Sequence, residues 1–368
     1  MRTTLESMLE SVVRTAATIA GSLPTPIQRA LGGRPVRVDG QELNTEIQLM
    51  LRMLALLPDS DFEQLPIAKS RAQIDMEARL VSGRPIPMAS VDSLVIPGPA
   101  DPIPARMFRP EGLPANAPLL VYFHGGGFVL GSLDSHDSLC RFLARHAEVA
   151  VLAVDYRLAP EHAFPAAADD AVAAFRYAVA NAASLGIDPD RVAVAGDSAG
   201  GNLAAVVSQL TRGSGPRPAF QMLFFPWLDM TAKRRSYQLF SDGFFLTEAQ
   251  MDWYTNHYVP AAEDRTDPRA SPILAEDLTG LPPAYVAISG FDVLRDEGIE
   301  YAERLRAAGV PTTLRVHDDL VHAFVNLTGY GRAGVDALLE AVGALRVGLS
   351  FAPGCVSEPG LEIVEQAE

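Results

Sequence analysis

Arg191-Val-Ala-Val-Ala-Gly-Asp-Ser-Ala-Gly-Gly-Asn-Leu-Ala-Ala-Val-Val207 is the stretch whose reading decides the fold. Its apolar start reads as a buried strand, and Asn202 onward reads as an alanine-rich helix. Ser198 stands between them, with Gly196 and Gly200 two residues away on either side. A turn this tight leaves no room for side chains beside the serine, and glycine meets that demand. The serine oxygen is thereby presented at the carboxyl end of a strand and the amino end of a helix, where the helix dipole favours developing negative charge. The plain alternative is a serine that caps a helix after a turn. On Ser198 alone the two readings weigh evenly.

His124-Gly125-Gly126-Gly127-Phe128 tips the balance. It follows Leu119–Phe123, another continuous apolar run. Consecutive glycines can turn their backbone N–H groups toward a substrate oxygen. Together with the N–H of Ala199 they would supply donors for a tetrahedral intermediate. A phosphate-cradling loop is disfavoured, since neither the glycine spacing nor a Lys-Ser/Thr pair is present. A strand, a serine turn and a helix in succession form the nucleophile elbow of the α/β-hydrolase fold.

Further out, apolar runs alternate with helical patterns. Strands are expected at Val91–Ile96, Pro104–Arg109, Val149–Val154, Phe220–Phe225, Ala284–Ser289 and Thr312–Val316. The first two are short, bounded by Pro and Gly, and suit an antiparallel edge. Helices are expected at Ser138–Arg145, Ala166–Ala183, Glu297–Ala308 and Arg332–Val347. This alternation implies a mostly parallel sheet with helices on both faces. Trp227–Pro272 interrupts it and reads as an inserted helical cap. Before residue 85 the patterns are helical, and no strand is expected there. An amphipathic first helix ends at Pro24, a second covers Asn44–Leu57 and a third Ile67–Val81.

A serine nucleophile needs a base, and the base needs an orienting acid. In this fold they follow the serine in the order acid, then histidine. Of seven histidines, only His257, His317 and His322 come after Ser198. His257 falls in the expected cap helix and His317 at the end of the last strand. His322 falls in the loop beyond, where active-site loops of open sheets gather, and is the preferred base. Asp292 stands closest to the end of Ala284–Ser289 and is the preferred acid. Asp296 and Glu297 resemble first-turn helix acids and are the fallback.

Bulk properties narrow the function. The chain has 368 residues, 48% hydrophobic and 20% charged, with a net charge of -15. This is enough for one large α/β domain with a cap. The acidic balance argues against nucleic acid as a partner. No apolar run reaches the length of a membrane span, and no secretory signal is apparent. Cys140 and Cys355 allow one disulfide but no framework. A cytoplasmic location is therefore expected.

Five segments make the chain similar to the bacterial hormone-sensitive-lipase-like carboxylesterases, an α/β-hydrolase family. They are His124-Gly-Gly-Gly-Phe, Tyr156-Arg-Leu-Ala-Pro-Glu-His, Gly196-Asp-Ser-Ala-Gly-Gly, Asp292-Val-Leu-Arg-Asp-Glu-Gly and His322-Ala-Phe. The resemblance implies Ser198 as nucleophile, His322 as base and Asp292 as acid. It implies that two of Gly125, Gly126 and Gly127 join Ala199 in the oxyanion hole, with Gly126 and Gly127 favoured. Asp155, Tyr156, Arg157 and Glu161 would be structural supports. The sequence departs from the family at Val293, where Pro is usual, and at Ala323, where Gly is usual. Neither change removes a reacting group.

The expected architecture is an α/β-hydrolase with a mostly parallel central sheet, helices on both faces and a helical cap. Residues 1–85 would form an N-terminal cap segment, and 86–353 the catalytic domain with a cap insertion at about 227–272. Residues 354–368 would be a tail. The expected activity is hydrolysis of short- to medium-chain carboxylic esters through an acyl-enzyme on Ser198. The partner is a small-molecule ester, and no cofactor or metal is called for. Activity should rise with pH as His322 loses its proton. An amidase, lactonase or deacetylase would use the same residues with a different pocket. A non-catalytic binding relative would need a broken triad, yet all three members are present. The first helix could adsorb to lipid, although packing over the pocket is the plainer reading. Oligomeric state, including a homo-oligomer, is left open.

Overall fold

Apolar runs without polar alternation need cover on both faces, and the chain puts them at the centre of its sheet. The computed structural model describes residues 4–55, 61–213 and 215–350, with the side chains of 4–10 left out. The tail after Pro353, Cys355 and the end of the expected Asn44–Leu57 helix lie outside the described residues.

The N-terminal segment comprises α1 (Thr4–Gly21), α2 (Thr25–Gly32), β1 (Arg37–Val38), β2 (Gln41–Glu42), α3 (Thr45–Leu54) and α4 (Ile67–Val81). The body follows as β3 (Ser90–Ile96), β4 (Ile103–Arg109), β5 (Ala117–Phe123), α5 (Asp137–Ala147), β6 (Ala150–Val154), α6 (Ala166–Ala180), α7 (Ala182–Leu185), β7 (Ile187–Asp197), α8 (Ala199–Thr211) and β8 (Phe220–Phe224). Then come α9 (Arg235–Leu239), α10 (Glu248–Tyr258), β9 (Ala284–Phe291), α11 (Arg295–Ala307), β10 (Thr312–Val321) and α12 (Ala333–Ser350).

Eight strands form one sheet in the order β10-β9-β8-β7-β5-β6-β4-β3. The pairs from β10 through to β6 are parallel, while β4 pairs antiparallel with both β6 and β3. The expected antiparallel edge is therefore β3 and β4. Every residue of β6, β8 and β9 is buried. The chain steps from β5 one way to β6, then back across to β7 on the other side of β5. Right-handed crossovers put α5 on one face and α6 and α8 on the other. Consistent with this, α6 packs on α8, and α12 packs on α5. The reversal makes the carboxyl ends of β5 and β7 a topological switch point, where open sheets hold their ligands.

The structure corrects three expectations. The N-terminal segment is not purely helical, because β1 and β2 form a small antiparallel hairpin. Its turn is Asp39-Gly40, with φ of 54° and 79°. Asp-Gly with both φ angles positive is a favoured two-residue hairpin turn. The last strand runs on to Val321, through the polar His317-Asp318-Asp319, with an irregular register between His317 and Val321. The strand before Ser198 begins at Ile187, ahead of Pro189. In both strands, polar or proline residues concealed the continuation.

Candidate active site

Ser198 follows the last residue of β7 with φ 56° and ψ -118°. A non-glycine residue held there stores about 1–3 kcal/mol. The surroundings fix it firmly. Its N–H donates to the Phe224 carbonyl at 2.9 Å, and its carbonyl accepts from Asn202 and Trp227, each at 3.1 Å. A β-carbon at Gly200 would run into the Phe123 carbonyl of β5, so the tight turn demands glycine there. Ala199 is the first residue of α8, and a first-turn N–H has no intrahelical acceptor.

Asp292 follows β9 and His322 follows β10, so parallel strands deliver both to the edge that carries Ser198. Asp292 is 1% exposed. Its Oδ1 accepts the Leu294 N–H at 2.9 Å, and its Oδ2 lies 2.7 Å from His322 Nδ1. Phe225, held at φ 33°, packs its ring 4.6 Å from that of His322. Phe225 directly follows Phe224, the residue that anchors the Ser198 N–H. His322 and Ser198 are thus buttressed by one short segment. Among the described residues, Ser198 Oγ has no hydrogen-bond partner. In ligand-free enzymes such contacts often close only once substrate is bound.

The other candidates are engaged elsewhere. His257 Nδ1 accompanies the Trp253 carbonyl at 2.8 Å within α10. His317 lies within β10 against Phe324. Asp296 accepts the Ser236 N–H at 2.8 Å. Glu297 accepts the Leu228 N–H at 2.6 Å.

The glycine loop leaves β5 beside Ser198. Gly126 and Gly127 have φ of 112° and 60°, in the left-handed half of backbone space that favours glycine. The N–H groups of Gly126 and Gly127 donate to no described residue. The N–H of Gly125 donates to Asp197 Oδ1 at 3.0 Å, which leaves Gly126 and Gly127 as the loop's free donors. Tyr254 of α10 lies so close over Gly127 that a β-carbon there would enter its ring. Phe62 packs on Tyr254 and Trp253, so the N-terminal segment meets the insertion directly above this loop.

The segment 155–161 braces the loop from below. Tyr156 donates its hydroxyl proton to the His124 carbonyl at 2.7 Å. Arg157 forks onto the buried Asp170, and Glu161 pairs with Arg71 of α4 at 2.7 Å. Arg71 also donates to the Val129 and Ala159 carbonyls, so α4 is fastened to the loop. Burial raises the Asp155 carboxyl above its ordinary range. Sequence reasoning missed Tyr254, Phe62, Arg71 and Phe225. Helical spacing shows that α4 and α10 exist but not that Phe62, ahead of α4, packs on α10. A cleft of about 460 Å³ near Arg145 and Arg191 opens at the opposite end of the sheet, away from this chemistry.

A family model described as an alpha/beta hydrolase fold matches residues 120–326. The carboxylic ester hydrolase LipN of Mycobacterium tuberculosis is 46% identical over 354 residues, covering 92% of each chain. The ethyl acetate hydrolase of Pseudomonas putida is 37% identical, covering 76% of this chain and 89% of its own. Among solved structures, an ester hydrolase from the metagenome of Lake Arreo, bound to a bipyridine phosphonate derivative, superposes with a TM-score of 0.80 at 44% identity. It covers 83% of this chain and 98% of its own. The hyperthermophilic esterase of Pyrobaculum calidifontis superposes with a TM-score of 0.79 at 36% identity, with the same coverage. The chain belongs to the hormone-sensitive-lipase-like family of carboxylic ester hydrolases, built on the α/β-hydrolase fold.

Proposed function

We propose that this chain hydrolyses esters of short- to medium-chain carboxylic acids through an acyl-enzyme on Ser198. The observation that carries the mechanism is the buried 2.7 Å pair of Asp292 and His322 at the strand edge that presents Ser198. His322 takes the serine proton as Oγ attacks the ester carbonyl. Asp292 keeps the proton-bearing Nδ1 turned away, so that Nε2 faces the serine. The tetrahedral oxyanion is received by the N–H groups of Gly126, Gly127 and Ala199. His322 returns its proton to the leaving alcohol. Water then repeats the sequence on the acyl-enzyme and frees the acid.

The chain-length reading rests on the lid above the site. The N-terminal segment and the insertion act together as a cap, and Phe62, Trp253 and Tyr254 crowd the space over Gly127. Aromatic closure this near the reacting carbonyl favours short acyl groups. The name of the Pseudomonas relative, an ethyl acetate hydrolase, agrees with a small ester.

The test is a series of p-nitrophenyl esters from acetyl to palmitoyl. Turnover should peak among the short to medium acyl chains and fall toward palmitoyl. A peak at palmitoyl would overturn the chain-length reading, and an inert protein would overturn the esterase reading.

A further inference from the structure

Gly125 is tied at both ends. Its N–H donates to Asp197 Oδ1, and its carbonyl faces His124 Nδ1 at 2.7 Å. Burial and the neighbouring His136 lower the His124 pKa to about 4, so the ring is neutral at pH 7. A contact with a carbonyl then requires its proton on Nδ1. His124 Nε2 accordingly lies buried without a partner among the described residues. In a trans peptide the carbonyl and the following N–H point in opposite directions. With the Gly125 carbonyl drawn toward His124, the Gly126 N–H faces the other way. The next peptide repeats this. The Gly126 carbonyl accepts from Val129 at 3.1 Å and Leu130 at 2.8 Å, which turns the Gly127 N–H away from them.

Asp197 is the last residue of β7 and the neighbour of Ser198. Its carboxylate is buried. Oδ1 also accepts the Tyr122 hydroxyl at 2.6 Å, and Oδ2 lies 3.2 Å from His136 Nε2. Burial alone would raise this carboxyl, but His136 and the Tyr122 hydroxyl outweigh it and hold it at about 2. Ser135 Oγ meets His136 Nδ1 at 2.9 Å and steadies the ring from behind.

We propose that Asp197 is a positioning residue for the oxyanion loop: it clamps Gly125 to the nucleophile turn, so that the Gly126 and Gly127 N–H groups converge on the point that Ser198 Oγ attacks. This rests on the reading of Ser198 given above. Donors must be held to within about 0.5 Å of productive geometry. A carboxylate one residue from the nucleophile links the two groups by the shortest path the chain offers. Asp197 touches no substrate. Its effect runs through Gly125, whose N–H also lies 3.3 Å from Nε2 of His136, the ring that Asp197 itself holds.

Asp197→Ala, Asp197→Asn and Tyr122→Phe test it. Rates on p-nitrophenyl butyrate are expressed per reactive serine, counted by titration with a p-nitrophenyl phosphonate. Hydrogen–deuterium exchange over residues 124–131 reads the clamp without any substrate. For the Ala variant we expect kcat lowered about 100-fold with KM changed by no more than about two-fold, as for loss of an oxyanion donor. The Asn variant keeps an acceptor for the Gly125 N–H and should recover about ten-fold of that loss. Exchange over 124–131 should rise in the Ala variant. Wild-type kcat per titrated serine in the Ala variant would overturn the clamp, as would a loss carried mainly by KM. Should the Ala variant fail to fold, Tyr122→Phe decides. A several-fold fall in kcat at constant KM supports the clamp, and an unchanged kcat overturns it. A wild type inert on every ester overturns the esterase reading instead. The exchange data then still judge the clamp, and a protected 124–131 segment in the Ala variant rejects it.

Discussion

At the scale of the residue, the candidate reacting groups are the part of the chain most open to reading from sequence. Ser198 announces itself because only a tight turn needs glycine at both Gly196 and Gly200. His322 and Asp292 followed from chain order and from their places just beyond strands. The structure brings these two within 2.7 Å of each other. The supporting residues were not legible. Nothing in sequence spacing joins Asp197 to Gly125 or Phe225 to His322, since those contacts form between separate strands of the sheet. One departure noted in the sequence now has a backbone reason. Ala323 sits at φ 63°, the left-handed region in which a side chain costs energy and glycine does not. Ala323→Gly should therefore raise stability by about 0.5–1 kcal/mol, once the extra freedom of glycine in the unfolded chain is deducted. Urea unfolding measures this, and a lower midpoint for the variant would contradict it.

At the scale of the element, long apolar strands were read correctly and their ends were not. β10 continues through His317-Asp318-Asp319 because His317 is buried against Phe324 while Asp318 is exposed and Asp319 half-buried at this edge strand, so the acids fit there. The hairpin of β1 and β2 was missed, although its Asp39-Gly40 turn was the signal that could have revealed it. The start of the insertion after β8 leans on a buried acid of α11. Glu297 Oε1 accepts the N–H groups of Leu228 and Asp229 at 2.6 and 3.3 Å, just past the segment that carries Phe225. Burial pushes the Glu297 carboxyl well above its ordinary range, against these hydrogen bonds, and so favours its protonated form in the folded state. The unfolded chain gives that proton up near the usual carboxyl range. A raised folded pKa means stability is fully present at low pH and declines as pH climbs toward the folded value. Glu297→Gln keeps the acceptor and removes the titration. Its stability relative to wild type should therefore grow between pH 5 and pH 8, whereas Glu297→Ala should cost about 1–3 kcal/mol at either pH by stranding two buried N–H groups. Denaturation at the two pH values checks both. A wild type that gains on the Gln variant as pH rises would contradict the assignment.

At the scale of the whole molecule, a mostly parallel sheet gathers its loops at one edge, and the reversal between β5 and β7 opens the crevice there. That organisation was legible in the alternation of strands and helices. What sits over the crevice was not. The N-terminal segment and the insertion are separated in sequence by six of the sheet's eight strands, yet Phe62, Trp253 and Tyr254 meet, and Arg71 fastens α4 to the glycine loop. Such long-range packing leaves no periodic trace in sequence. No described helix is long and apolar enough to cross a membrane. The mechanism assigns the chemistry to one serine per chain, and a p-nitrophenyl alkylphosphonate probes that serine through the intact protein mass. Wild type should take up one phosphonyl group per chain, on the peptide that contains Ser198, with loss of ester hydrolysis in step. Ser198→Ala should take up none and hydrolyse about 10⁴–10⁶-fold more slowly. An adduct on another residue, or a Ser198→Ala variant that still turns over esters at the wild-type rate, would contradict the mechanism.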